Sequence, residues 1–462
     1  MKKYTDVCTG EKIIEYRCDD DGSFFDGTHA KTDRDFKTIL NLQSDGEKLV
    51  RKIGVKPAEG WLASVSLFYP HCFRYTDEDG KRHEYVFGVN EQKRLAFYEF
   101  LENSTVIGTL PDKEFNQPPV YIDYNYEGKD YLLINGGDNG FFVFGKSFTE
   151  VGDNPHITGA VVFDGKLFAC STDNNPRVRY SSMINPTNWS GLQSSIYVYN
   201  DCGAVIGLAL LGSSLYVFQE RGMSRISKAD SENYSVTKVF EWGERAYAGT
   251  AKVSGDCVWY FTSQGLYRFD GKNNKRMSDC FGDAFVGGEQ SRIANYHGKT
   301  LIATRLNFPS DVYSESDADF SGNNALIVFD GDKPCVLGGV KVASFCRTYE
   351  KEAQGLAMYD GSIEFFCDDG GFNQTQFVGL AELNTTDFGT NSYKNVKAVE
   401  FSHEGAVVVE LFADGKRTAY EFSEGKRFRR VDFRRSCREF GLRILSFGGS
   451  ISFPVIYYAE ES

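Results

Sequence analysis

The chain has 462 residues, with 51 basic and 64 acidic side chains. Its net charge of −13 argues against a general nucleic-acid binder, because phosphate contact needs a concentrated basic surface. Aromatic residues make up 15% of the chain (38 Phe, 26 Tyr, 4 Trp), beside 47 Gly, only 11 Pro and a hydrophobic fraction of 41%. This excludes a disordered or collagen-like polymer and points to strands cut by glycine turns. The longest apolar run, Gly203 to Leu211, covers nine residues, about half of a membrane span, and no apolar segment follows Met1-Lys2-Lys3-Tyr4-Thr5-Asp6. Neither a membrane helix nor a signal peptide is expected.

In chain order, residues 1–54 are polar and turn-rich and read as an extended arm that packs on a neighbour. From 55 to 378 the pattern is short apolar and aromatic runs of strand length, such as Tyr131 to Ile134, Phe141 to Phe144, Leu215 to Phe218, Val258 to Phe261 and Leu326 to Phe329. Asp-Gly pairs follow or separate them at Asp79-Gly80, Asp164-Gly165, Asp270-Gly271, Asp330-Gly331 and Asp360-Gly361, supplying the positive φ that two-residue hairpins need. An aromatic-Asp-Gly phrase recurs at Phe163, Phe269, Phe329 and Tyr359, at intervals of 106, 60 and 30 residues. The spacing is not periodic, yet it is what diverged antiparallel blades would leave. The expected fold is all-β: a β-propeller of six to seven blades over 55–378, with a long sandwich as the alternative. After a polar linker, residues 384–462 offer six further strands, at Val396 to His403, Ala406 to Phe412, Ala419 to Phe422, Arg429 to Phe433, Arg443 to Phe447 and Ile451 to Tyr458. These predict a small C-terminal β-sandwich, with Val407, Val409 and Leu411 on one face and Val408 and Glu410 on the other.

Catalytic signatures are missing. The six histidines form neither HExxH nor HxH, and GxSxG, the P-loop pattern and GxGxxG do not occur. The sialidase-type Asp-box is not present either, so glycosidase chemistry has no motif behind it. Asp317-Ala318-Asp319-Phe320-Ser321-Gly322 begins like a calcium loop, but its twelfth position is Val328, where a bidentate Glu is needed; it reads as a solvated acidic loop. Asp19-Asp20-Asp21-Gly22 is a weaker version of the same pattern. Eleven scattered cysteines without CxxC spacing read as buried thiols in a reducing cytoplasm. No enzymatic activity, metal or cofactor is expected.

The charge balance is reversed in one place. Between Lys426 and Arg443, eight basic residues (Lys426, Arg427, Arg429, Arg430, Arg434, Arg435, Arg438, Arg443) face Asp432 and Glu439, a local +6 interleaved with Phe428, Phe433 and Phe440. A docking face for an acidic neighbour is the favoured reading. A solvated face and contact with a DNA backbone are the alternatives.

A second segment is more specific: Pro176-Arg177-Val178-Arg179-Tyr180-Ser181-Ser182-Met183-Ile184-Asn185-Pro186-Thr187-Asn188-Trp189, followed by Gly203 to Leu208 and Leu215 to Ile226. It resembles the blade signature of tailed-phage propeller proteins, the packaged-DNA stabilisation, tail-hub and nozzle proteins of short-tailed phages. Leu49 to Pro57 and the Arg-rich C-terminal strand are similar too, so the resemblance spans roughly residues 49 to 458. Within it Arg177, Arg179, Tyr180, Ser181, Asn185, Pro186 and Trp189 are structural: Asn185-Pro186 makes a turn and Trp189 folds back over the edge between blades. The resemblance implies a virion protein of the tail, assembled in the bacterial cytoplasm. It would form a homo-oligomeric ring, sixfold, below the portal and adaptor proteins, carry tail fibres or a needle, and pass double-stranded DNA without binding it specifically. No membrane contact is implied. The rival reading is a carbohydrate- or receptor-binding propeller, which would show exposed Trp and Tyr at pocket rims.

Overall fold

The protein is described from a computed structural model, which covers residues 2–5, 12–18, 36–101, 104–115, 118–126, 128–136, 141–144, 148–151, 157–171, 175–182, 185, 188–189, 194–230, 233–308, 320–348, 354–371, 378–383 and 385–461. Among these the chain is all-β, built from many small antiparallel sheets and a few short 3-10 turns. Six short strands come first: β1 (Lys2–Thr5), β2 (Lys12–Arg17), β3 (Phe36–Leu40), β4 (Gln43–Ser44), β5 (Lys48–Val50) and β6 (Gly54–Pro57).

Seven four-stranded sheets follow. The first holds β7 (Phe68–Thr76), β8 (Arg82–Val89), β9 (Arg94–Leu101) and β10 (Ser104–Glu114). The second holds β11 (Val120–Tyr126), β12 (Lys129–Asn135), β13 (Phe141–Phe144) and β14 (Phe148–Val151). The third holds β15 (Ile157–Phe163), β16 (Lys166–Ser171), β17 (Arg177–Tyr180) and β18 (Ser195–Tyr197). The fourth holds β19 (Val205–Leu211), β20 (Ser214–Gln219), β21 (Gly222–Lys228) and β22 (Tyr234–Glu241). The fifth holds β23 (Lys252–Ser254), β24 (Cys257–Thr262), β25 (Gly265–Phe269) and β26 (Asn274–Arg276). The sixth holds β27 (Arg292–Tyr296), β28 (Lys299–Thr304), β29 (Ala325–Asp330) and β30 (Lys333–Gly338). The seventh joins β31 (Val342–Arg347), β32 (Gln354–Met358) and β33 (Ile363–Cys367) to β6, with Phe366 opposite Val55.

The first strands of successive sheets from β11 onward lie beside one another, and β31 returns against β7. At that seam the buried thiols of Cys72 and Cys346 are 3.4 Å apart, and the neighbouring sulfur together with burial pushes the Cys72 pKa up, keeping it protonated. No disulfide forms among the described residues.

The remaining strands are β34 (Gly379–Leu383), β35 (Lys394–His403), β36 (Val407–Ala413), β37 (Lys416–Phe422), β38 (Arg427–Cys437), β39 (Phe440–Ser446), β40 (Ser450–Ser452) and β41 (Val455–Glu460). They form two sheets, β1-β2-β41-β35-β40-β5-β4 with β38 on β35, and β3-β34-β39-β36-β37. A shared core that includes Tyr16, Phe36, Val399, Leu411, Phe440 and Tyr458 lies between them. All six C-terminal strands read from the sequence are present, the last split in two around Phe453-Pro454.

One expectation needs correction. The described strands of residues 1–54 pack on their own chain: β2 pairs with β41, β3 with β34 and β5 with β40, because Ile14, Tyr16 and Ile39 need the core that the C-terminal sheets provide. Val407, Val409 and Leu411 turn to one core, as expected, and Glu410 on the opposite face is buried as well. It is 2% exposed, paired by Arg417 and, at 3.6 Å, by Arg443.

The two-sheet unit is fixed to the sixth four-stranded sheet by Leu40 and Leu380, which share a core with Phe281, Ile327 and Phe329. Asn41, at φ +57°, bridges the same boundary. Its N–H donates to the Val336 carbonyl (2.8 Å), its amide donates to the Val378 carbonyl (2.8 Å), and its side-chain oxygen accepts from the Gly338 N–H (2.8 Å).

In the first sheet His83 lies between Asp77 and Glu99, 3.0 Å from each. The Asp77 hydrogen bond raises the His83 pKa above its ordinary value, with Glu99 adding to it, while His83 holds Asp77 below the usual carboxylate range. A raised histidine stabilises the fold fully below its unfolded pKa and ceases to do so as pH rises through the folded value. The wild-type melting temperature is therefore expected to fall as pH rises from the ordinary histidine value of about 6.5 through the raised folded value. His83→Gln should flatten that slope in a thermal melt series.

Candidate docking edge

Five of the eight basic residues, Arg427, Arg429, Arg430, Arg434 and Arg435, lie on one long strand, β38; Lys426 and Arg438 flank it and Arg443 is on β39. β38 runs antiparallel to β35 from Lys394 opposite Cys437 to His403 opposite Arg427, and its other edge pairs with no strand among the described residues. Val431, Phe433 and Cys437 turn into the core, and their alternation sends the intervening charged residues outward. At Arg434 the backbone takes φ +49°, and Phe433 and Arg434 together face the single residue Lys397. This bulge twists the strand and brings Arg434 and Arg435 to the surface in succession.

The arginines divide into two groups. Arg429 is half-buried: its Nε donates to His403 Nε2 (3.1 Å) and its guanidinium covers Phe422 at 5.0 Å. His403 therefore carries its proton on Nδ1, which donates to the Gly405 carbonyl (2.8 Å). Arg430 pairs with Glu400 (2.7 Å) and Asp432 (3.1 Å) and lies over Tyr457. These two, with Arg443 on Glu382 and Glu410, are internal partners. The second group is exposed. Lys426, Arg427, Arg434, Arg435 and Arg438 have no acidic partner among the described residues. Arg435 rests on Phe433 at 5.5 Å and Arg438 on Tyr393 at 4.9 Å. Phe428 adds an apolar surface at 64% exposure. The sequence signalled the cluster but not this division, which depends on acids brought from β34, β35 and β36.

The motif in the third sheet is placed as follows. Arg177, Val178, Arg179 and Tyr180 form β17, with Val178 fully buried and the others half-buried. Ser181 is buried, its hydroxyl accepting from the Leu167 N–H (3.0 Å) and donating to the Ser182 carbonyl (3.1 Å). The turn is closed by Ser182, whose N–H donates to the Asn188 carbonyl (2.9 Å) and whose hydroxyl accepts from the Asn185 N–H (3.0 Å). Trp189 is 3% exposed among Ile122, Leu133, Ile157, Leu167 and Ala169, which come from the second and third sheets. Pro186, Asp317 to Asp319 and Asp19 to Gly22 lie outside the described residues.

Among the described residues no group of three or more His, Cys, Asp or Glu is placed to hold a metal ion, and no helix is long and apolar enough to cross a membrane. The one cavity described, about 630 Å³, lies at the start of β38, with Lys48, Arg51, Lys426 and Phe447 in its wall. Phe447 is its only aromatic residue. Of the described tryptophans, Trp189 and Trp259 are buried and Trp242 is half-buried, donating to the Glu220 carbonyl (3.3 Å).

No family model matches the chain, and no curated protein does. Among solved structures it is similar to PorZ, a bacterial surface component of the type-IX secretion system of Porphyromonas gingivalis, at 11% identity and a TM-score of 0.41 over 78% of this chain. The chain spans 46% of the length of PorZ. The extracellular domain of the one-component system BT4673 from B. thetaiotaomicron is matched at 10% identity and a TM-score of 0.43, over 100% of this chain and 68% of that one. A glycoside hydrolase family 43 arabinoxylan arabinofuranohydrolase from Bacillus subtilis is matched at 10% identity and a TM-score of 0.29, over 86% of this chain and 96% of that one.

Proposed function

We propose that this chain is a non-enzymatic structural subunit that docks an acidic neighbour through β38, and that it serves as a ring-forming tail protein of a tailed phage. In this reading the seven four-stranded sheets are the blades of a propeller, and β6 supplies the last strand of the seventh blade. That shape gives a rigid disc with loop-bearing faces and short protected edges. The observation that carries the docking role is the 11-residue edge of β38, unpaired among the described residues, with four exposed arginines and a lysine on it and beside it that lack acidic partners there, on a chain of net charge −13. The phage assignment rests on the resemblance of Arg177 to Trp189 and of the Arg-rich strand to those proteins. The ring of copies, the portal and adaptor above it, the fibres or needle below it and the virion tail as its location all belong to the same proposal. An acidic channel wall suits DNA that must slide without sticking.

A second reading has its own support. A bulge and exposed cations are also how an edge strand avoids unwanted pairing, and the positive φ at Arg434 fits that use. The test is an Arg427, Arg434, Arg435 and Arg438 to Glu variant, which spares the internally paired Arg429 and Arg430. It is expected to melt like wild type but to fail in a pull-down with portal–adaptor complexes, while the wild type shows no tight DNA gel shift at physiological salt. Normal attachment of the variant would favour edge protection. Tight wild-type DNA binding would assign the patch to phosphate instead.

A further inference from the structure

Where the chain leaves β5 for β6, Arg51 is only 4% exposed, and its Nε and Nη1 are buried without a hydrogen-bond partner among the described residues. It lines the 630 Å³ cavity described above, together with Lys48, Lys426, Glu404, Glu424 and Ser450. Neither glutamate pairs with it, and Ser450 donates to the Glu404 carboxylate (3.4 Å). A guanidinium has donors only, and burying one without an anion is costly. Desolvation lowers the Arg51 pKa to about 10, so the side chain stays charged at neutral pH.

The wall around it is preformed. Glu404 and Ser450 exchange backbone hydrogen bonds of 2.8 and 3.1 Å, locking the β35–β36 turn onto the β39–β40 turn. Gly405 and Gly449 hold φ of +90° and +70°, and a methyl group on Gly405 or Gly449 would run into the carbonyl of Gly448 or of Glu404 respectively. Only glycine permits this approach, which fixes the opening opposite Arg51.

We propose that this cavity is a binding site for a small oxyanion, phosphate or carboxylate, held by the buried guanidinium of Arg51 with Lys48 and Lys426 adding positive charge. The volume falls within the range of small-ligand pockets. The site adjoins the docking edge and shares Lys426 with it, but Arg51 itself follows β5, with β40 and β35 between that strand and β38 in the sheet order.

The test is isothermal titration of the full chain, in chloride buffer, with inorganic phosphate and separately with glutarate; whichever binds identifies the source of the oxyanion. Wild type should bind one of them saturably at a single site. Arg51→Met should weaken binding at least about thirtyfold, as expected on losing a buried charge partner. Arg51→Lys should retain part of it, and Arg430→Gln all of it. Should Arg51→Met fail to fold, the Lys48→Gln/Lys426→Gln pair reads the same site and should weaken binding several-fold. Absence of saturable binding by wild type up to roughly 10 mM of either anion, or undiminished binding by the Arg51 and lysine variants, would overturn the proposal.

Discussion

Trp189→Ala is expected to cost roughly 3 to 5 kcal/mol, the range for truncating a large buried aromatic. The indole fills the space between two sheets, against Ile122 and Leu133 on one side and Ile157, Leu167 and Ala169 on the other. These residues stand on paired strands and cannot collapse into the hole, so the cavity term adds to the lost burial. The backbone contacts of the turn survive the substitution: the Ser194 hydroxyl still reaches the residue 189 carbonyl, and Asn188 still donates to the Asn185 carbonyl. The loss is therefore one of packing between sheets rather than of local conformation. Urea unfolding measures it, and an unchanged midpoint would mean that the side chain bears no load there.

Val55→Asp is expected to be at least as damaging, about 4 kcal/mol or more. Val55 is 1% exposed in a core with Leu301, Leu326, Leu356 and Phe366, and β6 is the only strand that joins the N-terminal segment to the seventh four-stranded sheet. A carboxylate there would sit among these apolar side chains and must be protonated or expel the strand. Losing β6 exposes the edge of β33 and frees the last sheet from the chain before the first. Lys56→Ala, on the opposite face of the same strand, should leave the melt close to wild type. Limited proteolysis beside the unfolding curve would show whether cleavage begins at the seventh sheet, as this account requires.

Much of the fold was legible because its signals are local. Apolar runs such as Leu215 to Phe218 and Val258 to Phe261 are strands, and the Asp-Gly pairs do mark turns. Asp164-Gly165 and Asp414-Gly415 place both residues at positive φ, Asp330-Gly331 opens a two-residue hairpin in which Gly331 alone does so, and at the other sites glycine takes positive φ in longer turns. Pairings across hundreds of residues left no such mark. Nothing near Ile14 or Ile39 announces that they complete sheets begun after residue 378, so the N-terminal segment read as an arm. The docking edge was visible as charge density, but which arginines are already used depends on Glu382, Glu400 and Glu410 arriving from other strands. Arg51 gave no signal at all, since a single arginine in a polar stretch looks like any other until three glycine turns close around it.

In the proposed function the exposed arginines on and beside β38 hold this chain to an acidic neighbour, its own copies included. Mass photometry of the purified protein across a salt series tests it most directly. Closed oligomers are predicted at about 50 mM salt, dissociating toward about 0.5 M as exposed charges are screened, with the Arg427, Arg434, Arg435 and Arg438 to Glu variant monomeric throughout. Oligomers of the same size and salt response in wild type and variant, or a wild type that stays monomeric at every salt concentration, would contradict it.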